Sequence, residues 1–351
     1  MKVLVAMSGG VDSSVAALLL RDQGHDVTGV TMRLWGGESD TGCCSVSDVD
    51  DARRVAQQLG LDHLVFNFSD QFDEAVVAPY VSAHVAGVTP NPCVECNRHL
   101  KFDALLERAR VLGFDAVATG HHARIDIRNG APRVCRGADP DKDQSYVVHM
   151  LSRDDLARVM FPVGAMTKSE VRAAAARAGL RTASKPDSQD VCFIGSTEGR
   201  AGFLSGRIEM HPAVVTDESG REIGTVPAVE LVTVGQRRGL GLGGGDKRYV
   251  VAVDVPTRRV TVGGKDGLQV RETTLGTLAW PHADDAERVH GATVLVQGSA
   301  HGARSEARVE VDGDTVRLTW VRPQRRIATG QTVVFYDAGD EFVLGGGIVT
   351  G

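Results

Sequence analysis

Apolar residues in the first part of the chain come in short continuous runs, and between the runs they recur every three or four positions. Val3 to Ala6 is one such run, followed by a Gly-rich turn and a helical stretch from Ser13 to Arg21. Val27 to Met32 is a second run. From Asp48 to Leu59, the residues Val49, Ala52, Val55, Ala56 and Leu59 fall on one helical face. His63 to Phe68 reads as a third strand, Phe102 to Leu112 as a helix and Ala116 to Thr119 as a fourth strand. Continuous apolar strands alternating with helices belong to a parallel sheet covered on both faces. Further on, Thr167-Lys168-Ser169-Glu170 has the form of a capping box, opening an alanine-rich helix from Val171 to Gly179.

The period changes near residue 205. Gly206 to Leu268 holds short β-type segments punctuated by Gly220, Gly235, Gly239 and Gly243-Gly244-Gly245. From Arg271 onward short strands alternate with Gly, Asp and Pro, without a helix, which predicts a small antiparallel barrel or sandwich. The expected α/β architecture therefore has three parts: a parallel-sheet domain over 1–205, a small β-rich central domain over 206–270 and a C-terminal antiparallel β-barrel over 271–351. A chain of 351 residues is too long for one ordinary core, which agrees with this division.

Composition narrows the setting. No apolar run approaches the roughly 20 residues of a membrane span. The opening MKVLVAM runs straight into Ser-Gly-Gly, as a first strand does and a signal peptide does not. A reducing, cytoplasmic setting is expected, in which the six cysteines are free, metal-bound or catalytic rather than a disulfide scaffold. The net charge of −6 excludes a uniformly basic protein and leaves room for a local basic patch facing nucleic acid.

The first candidate chemistry lies at the first strand-to-helix turn, Ser8-Gly9-Gly10-Val11-Asp12-Ser13-Ser14. Two glycines let the backbone turn tightly and aim successive N–H groups at an anion. Ser8, Ser13 and Ser14 add hydroxyls, and the helix N-terminus adds partial positive charge. A P-loop would end in Gly-Lys-Ser/Thr, with the lysine on the β- and γ-phosphates, and this turn has no lysine. Such a loop suits a grip on pyrophosphate during adenylation, with Asp12 available to Mg²⁺ on the phosphates. The bland alternative is a turn without a ligand; seven matching residues in the right strand–loop–helix context weigh against it. The string resembles the PP-loop ATP pyrophosphatase superfamily, which holds ligases, amidotransferases and tRNA-modifying enzymes.

Two cysteine segments select among these. Cys93-Val94-Glu95-Cys96 lies in Thr89-Pro90-Asn91-Pro92-Cys93-Val94-Glu95-Cys96-Asn97-Arg98, a proline-rich loop before the helix with Lys101 and Phe102, and Cys192 lies in Asp187-Ser188-Gln189-Asp190-Val191-Cys192-Phe193-Ile194-Gly195. Sulfur transfer needs two thiols, one to carry a persulfide and one to attack or resolve it. Asn-Pro-x-x-x-Cys-Asn at 91–97, Ala118-Thr119-Gly120-His121-His122, Lys142-Asp143-Gln144-Ser145-Tyr146, Phe161-Pro162-Val163-Gly164, Val234-Gly235-Gln236-Arg237-Arg238-Gly239-Leu240-Gly241 and Leu344-Gly345-Gly346-Gly347-Ile348 occur in this order. In this the chain resembles the tRNA-specific 2-thiouridylase family over nearly its whole length.

The resemblance implies that the wobble uridine of glutamine, lysine and glutamate tRNAs is converted to 2-thiouridine. Ala6, Met7, Ser8, Gly9, Gly10, Val11, Asp12, Ser13, Met32 and Gly120 match the family's ATP-contacting positions. Cys96 matches its nucleophilic cysteine, and Cys192 the cysteine that receives the persulfide from a sulfur carrier or cysteine desulfurase. Asn91, Pro92 and Cys93 match the segment that meets the target base, and His121, Lys142, Asp143, Gln144 and Gln331 match tRNA contacts. The implied reaction adenylates the C2 oxygen of a uridine taken out of its stack. Persulfide sulfur then passes to C2, with Cys96 freeing sulfide or closing a Cys96–Cys192 disulfide. Two positions depart from the family pattern. Cys93 stands where an aspartate is common, with Glu95 the nearest substitute, and Gln297-Gly298-Ser299 stands where Arg-Tyr-Arg is common. Arg322, Arg325 and Arg326 offer a compact basic cluster for phosphates instead.

Rival readings stand beside these. Cys93, Cys96 and Cys192 are enough thiolates for an iron–sulfur cluster with one open iron. Cys43-Cys44 is either incidental or next to the active site, and Cys135, beside Val134, reads as a small buried hydrophobe. His121-His122, taken as strand neighbours, would point to opposite faces and share no metal. The glycine triplets at Gly243 and Gly345 lack a following helix and read as loop and strand-bend geometry. Arg237-Arg238 and Arg258-Arg259 read individually as solvated surface, with tRNA binding the alternative that the neighbouring motifs suggest. Another PP-loop ligase or amidotransferase would need neither Cys96 nor Cys192, and a non-catalytic tRNA-binding protein would turn over no ATP.

Overall fold

Val3, Leu4 and Val5 are fully buried because β1 (Lys2–Ala6) lies inside the first sheet, paired in parallel with β2 (Asp26–Arg33) on one side and β4 (Ala116–Ala118) on the other. With β3 (Asp62–Asn67) beside β2 and β7 (Val159–Met160) beside β4, the order is β3-β2-β1-β4-β7, and every pairing is parallel. The structure is a computed structural model that describes residues 1–34, 46–187, 191–194, 199–243 and 247–351. Cys43, Cys44, Gly244, Gly245, the 188–190 stretch and Gly195 lie outside the described residues.

Helices cover both faces of this sheet. On one side α1 (Val11–Asp22) buries Val11, Val15 and Leu18 against Val55 and Ala56 of α2 (Val46–Leu59) and Val171 and Ala174 of the helix Lys168–Arg177. The capping box of that last helix is complete: Thr167 Oγ1 accepts from the Glu170 N–H, and Glu170 accepts from the Thr167 N–H at 2.7 Å. The helix therefore begins at Lys168, ahead of its apolar periodicity. On the other side Phe72, Val76, Tyr80, Leu100, Phe102 and Leu105 form the second half of the core.

Cys93 and Cys96 were expected in a loop, but helical structure starts at Pro92 and runs through Pro92–Glu95, a π-helical stretch Cys96–Ala104 and Leu105–Val111. Asn91 caps it by accepting from the N–H groups of Cys93 and Val94 at 3.2 and 3.3 Å. Pro92 sits at the first helical position, where its missing N–H costs nothing. The prolines that read as a loop are the start signal of the helix.

The hairpin β5 (Ala123–Arg128) and β6 (Ala131–Arg136) leaves this domain to meet the C-terminal part. The central part has β8 (Ala213–Asp217), β9 (Glu222–Val226), β10 (Tyr249–Asp254) and β11 (Arg259–Gly263) in the order β10-β11-β8-β9, with the β11–β8 pair parallel. The C-terminal part comprises β12 (Gln269–Ala279), β13 (Thr293–Gln297), β14 (Ser305–Asp312), β15 (Thr315–Arg325), β16 (Thr332–Tyr336) and β17 (Val343–Val349). Its antiparallel strands close into a barrel, β12-β15-β14-β13-β16-β17, rather than a sandwich. Contrary to the helix-free reading, a short helix Asp285–Val289 packs on it. Gly345 bends β17 where a side chain would strike Trp280.

Buried polar bonds tie barrel to hairpin. Arg133, almost wholly buried, donates to both Asp285 carboxylate oxygens at 2.9 and 2.6 Å. Arg136 donates to Asp143, Gln297 and Asp340 at 2.8, 2.7 and 2.6 Å, and lies over the Tyr336 ring. No helix among the described residues is long and apolar enough to cross a membrane.

Candidate active site

The first turn of the chain folds as its composition demands. Gly9 takes φ +73°, a conformation L side chains rarely adopt, and a Cβ there would run into the α2 backbone at Asp48. Gly120, after β4, comes so near the start of α1 that a Cβ would lie 2.6 Å from the Ser13 nitrogen. Ser8 reaches the surface of the cleft, whereas Ser13 and Ser14 donate their hydroxyls to the Gly10 carbonyl at 3.2 and 2.7 Å. Ser14 is fully buried and so is withdrawn from the donor set that the motif suggested.

The lysine absent from this turn arrives from elsewhere. Lys168, first residue of its helix, places Nζ 2.7 Å from Asp12 and 2.9 Å from Asp187. A cation at a helix N-terminus opposes the helix dipole, so local carboxylates or a bound anion must hold it there. Lys142 adds a second cation, 2.8 Å from Asp187. Burial opposes ionisation of Asp12, but hydrogen bonds with His122 and Lys168 outweigh it and hold the carboxyl below its usual range. Asp187 is depressed further: burial is again outweighed, here by Lys142 and Lys168. The result is a pair of lysines and a pair of carboxylates beside the N–H groups of the loop. Sequence reasoning missed Lys168 as a site residue, although its capping box was visible as a helix start.

Loop and thiols open into one cleft of about 420 Å³. Its wall includes Ala6, Met7, Ser8, Gly10, Val11, Asp12, Ser13, Met32 and Gly120 from the nucleotide set, and Pro92, Cys93, Cys96 and Cys192 from the sulfur set. Cys96 is buried at 7% exposure, and Cys93 and Cys192 are half-buried. Phe193 anchors the Cys192 segment, packing edge-on against Phe72, Tyr80 and Phe203. Val191, beside Cys192, takes φ +43°, a costly conformation for a β-branched residue.

The expected tRNA contacts divide into two kinds. Lys142 is exposed enough to reach a ligand. His121 instead forms a buried wall, 2.6 Å from the Thr119 hydroxyl and packed against Phe102 and Phe161. Burial first, then the charges of Lys101 and His122, keep it neutral well below the usual histidine range. His121 and His122 lie in a turn after β4, not on a strand as expected, and turn to separate partners. Asp143 is buried, accepting from Gly137 N–H, Ser145 and Arg136, and Gln144 accepts from the His122 N–H at 2.9 Å. Asn91 is a helix cap. Gln331 reaches from the barrel to donate to the Thr89 carbonyl at 2.7 Å. These side chains shape the site through protein bonds.

The barrel adds Ala300 and His301 to the wall, which the sequence did not signal. Gln297 is buried and donates to the carbonyls of Ser299 and Ala300, so the segment that stands in place of Arg-Tyr-Arg turns the chain toward the cleft. The Arg322, Arg325 and Arg326 cluster is also partly committed: Arg325 donates to the Gly235 carbonyl and Arg326 to the Val251 carbonyl. Among the described residues, no three His, Cys, Asp or Glu side chains converge as a metal-binding group. Cys93, Cys96 and Cys192 all line the cleft.

Residues 1–196 match the family described as tRNA methyl transferase HUP domain, 201–264 its PRC-barrel domain and 271–349 the aminomethyltransferase beta-barrel domain. The chain is 48% identical to a tRNA-specific 2-thiouridylase of Chloroflexus aurantiacus, over 98% of this chain and 97% of that protein. It is 44% identical to that of Roseiflexus castenholzii, over 99% and 98%. A 4-thiouridine synthetase solved with RNA and ATP aligns at a TM-score of 0.38 and 20% identity, over 55% of this chain and 44% of that one.

Proposed function

The chain belongs to the tRNA-specific 2-thiouridylase family, and we propose that it replaces the C2 oxygen of the wobble uridine in glutamine, lysine and glutamate tRNAs with sulfur, using ATP. One observation carries the reading: the pyrophosphate-type loop and the thiols of Cys96 and Cys192 line the same cleft. The matched domain descriptions speak of methyl transfer, but a phosphate-cradling turn beside two thiols suits activation of an oxygen followed by sulfur attack.

The uridine leaves its stack and enters beside Asn91, Pro92 and Cys93. Its C2 oxygen attacks the α-phosphorus of ATP, and pyrophosphate departs. The turn from Ser8 to Ser13 and the N-terminus of α1 hold that leaving group, and Lys168 and Lys142 balance its charge. A persulfide-donating sulfur carrier or cysteine desulfurase loads sulfur onto Cys192. The outer sulfur attacks C2, and AMP leaves with the bonding electrons. The Cys96 thiolate then attacks the Cys192 sulfur, closing a Cys96–Cys192 disulfide and releasing 2-thiouridine. A thiol reductant supplies the two electrons that reopen the pair. Mg²⁺ keeps several waters and needs few protein carboxylates, so Asp12 and Asp187, which line the cleft, would hold it and it would offset phosphate charge there. The steps above use Cys96 and Cys192 as a persulfide and disulfide pair, and none runs through an iron–sulfur cluster.

In this reading the chain divides at residues 205 and 270: the first part carries chemistry and the other two hold RNA, in a cytoplasmic setting. Cys96→Ser and Cys192→Ser variants should each bind ATP normally and lose thiolation. Full activity of either variant would point instead to an ATP-dependent ligase or amidotransferase on this fold.

A further inference from the structure

Away from the cleft, a shallow basin of about 620 Å³ lies where all three parts of the chain meet. Arg200 enters it from the helix Gly199–Ser205, Arg237 and Arg238 from the loop after Thr233, and Arg325 from the end of β15. Four arginines thus face one concavity in a protein whose net charge is −6. No carboxylate and no aromatic ring is among the described residues that line it.

The basin is constructed rather than incidental. Arg200 is held by the Leu231 carbonyl at 2.7 Å, and Arg325 by the Gly235 carbonyl. Neutral carbonyls position these guanidinium groups without cancelling their charge. Gly235 takes φ +86°, and a Cβ there would lie 2.7 Å from the Arg325 guanidinium, so the loop is shaped around that side chain. Arg237 and Arg238 are exposed. The basin also connects to the reactive cleft, because Thr233 on its wall accepts from the Thr89 hydroxyl at 3.3 Å, two residues before the Asn91 cap.

We propose that this basin grips phosphates of the RNA backbone at a point removed from the reacting uridine, an inference that rests on tRNA being the substrate. Planar guanidinium forks match phosphate oxygens, and a concentrated positive patch in an acidic protein creates a local field that a polyanion senses. Without rings to stack bases or carboxylates to read their edges, the contact is to backbone, so it supplies affinity and register rather than sequence choice.

Binding of the full-length chain to tRNA, followed over a range of salt concentrations, tests this. Arg237→Ala/Arg238→Ala should weaken binding about tenfold at moderate salt, and reduce the slope of log affinity against log salt by roughly one to two. Arg237→Lys/Arg238→Lys should retain that slope. ATP affinity of the alanine variant reports intact folding. Unchanged affinity and slope in the alanine variant, with tRNA binding by the parent chain intact, would overturn the inference. So would equal losses in the alanine and lysine variants, since shape rather than charge would then be responsible. A parent chain that binds no tRNA would instead overturn the functional reading on which the inference rests.

Discussion

Lys168 brings to the Gly-rich loop the lysine its own sequence lacks, from a helix start 156 residues beyond its carboxylate partner Asp12. Replacing it with glutamine removes the cation shared by Asp12 and Asp187 and leaves both carboxylates facing the place where phosphate charge develops. Lys168→Gln should therefore slow thiolation by about a hundredfold or more, in the range found for lost transition-state donors, and weaken ATP binding in an equilibrium titration. Buried histidines set a second residue-scale expectation. Burial pushes His84 and His149 down to about 4 and keeps His121 neutral as well. Between that range and the unfolded value of 6.5, unfolding takes up protons that the folded chain refuses. Stability is full above about pH 6.5 and declines as the pH falls, by about 1.4 kcal/mol per pH unit for each such proton. Urea midpoints measured at pH 7 and pH 5 should show this fall, and His149→Gln should shrink it.

At the scale of elements, the helix that starts at Pro92 sets where Cys93 and Cys96 point, and two groups define its start. Asn91 caps it, and Gln331, from the barrel, holds the Thr89 carbonyl just before it. Asn91→Ala should cost about 1 kcal/mol in chemical unfolding, while Asn91→Asp keeps the accepting oxygen and most of the stability. Gln331→Ala should lower the rate of sulfur transfer while leaving ATP affinity unchanged, as expected of a positioning residue. These elements also mark what could be read without coordinates. β1, its Gly-rich turn and α1 were legible because strand run, turn chemistry and helical period are all local. The helix at Pro92 was not, since Pro90 and Pro92 are loop signals until the Asn91 cap is seen to precede them. The roles of Gln331, Gln297 and Lys168 were hidden for a different reason: their partners are distant in sequence, and periodicity carries no information about such pairs.

For the molecule as a whole, the barrel is bound to the catalytic part by buried charge rather than by a flexible tether. Arg133 and Asp285 are both almost fully excluded from water. Removing one partner leaves an uncompensated buried charge, so Asp285→Ala should destabilise the protein by about 3–5 kcal/mol. Because Arg136 joins Asp143 beside the cleft to Gln297 and Asp340 in the barrel, loss of that docking should reach the site itself. On the proposed function, barrel, basin and cleft act on one RNA, with a single chemical outcome at a single base. The decisive measurement is mass analysis of the wobble nucleoside after the purified chain is incubated with tRNA, ATP and a persulfide or sulfide source. The account predicts an oxygen-to-sulfur mass change at that uridine, dependent on ATP and absent in Cys96→Ser and Cys192→Ser. An unaltered uridine under these conditions, from protein that binds both ATP and tRNA, would contradict it.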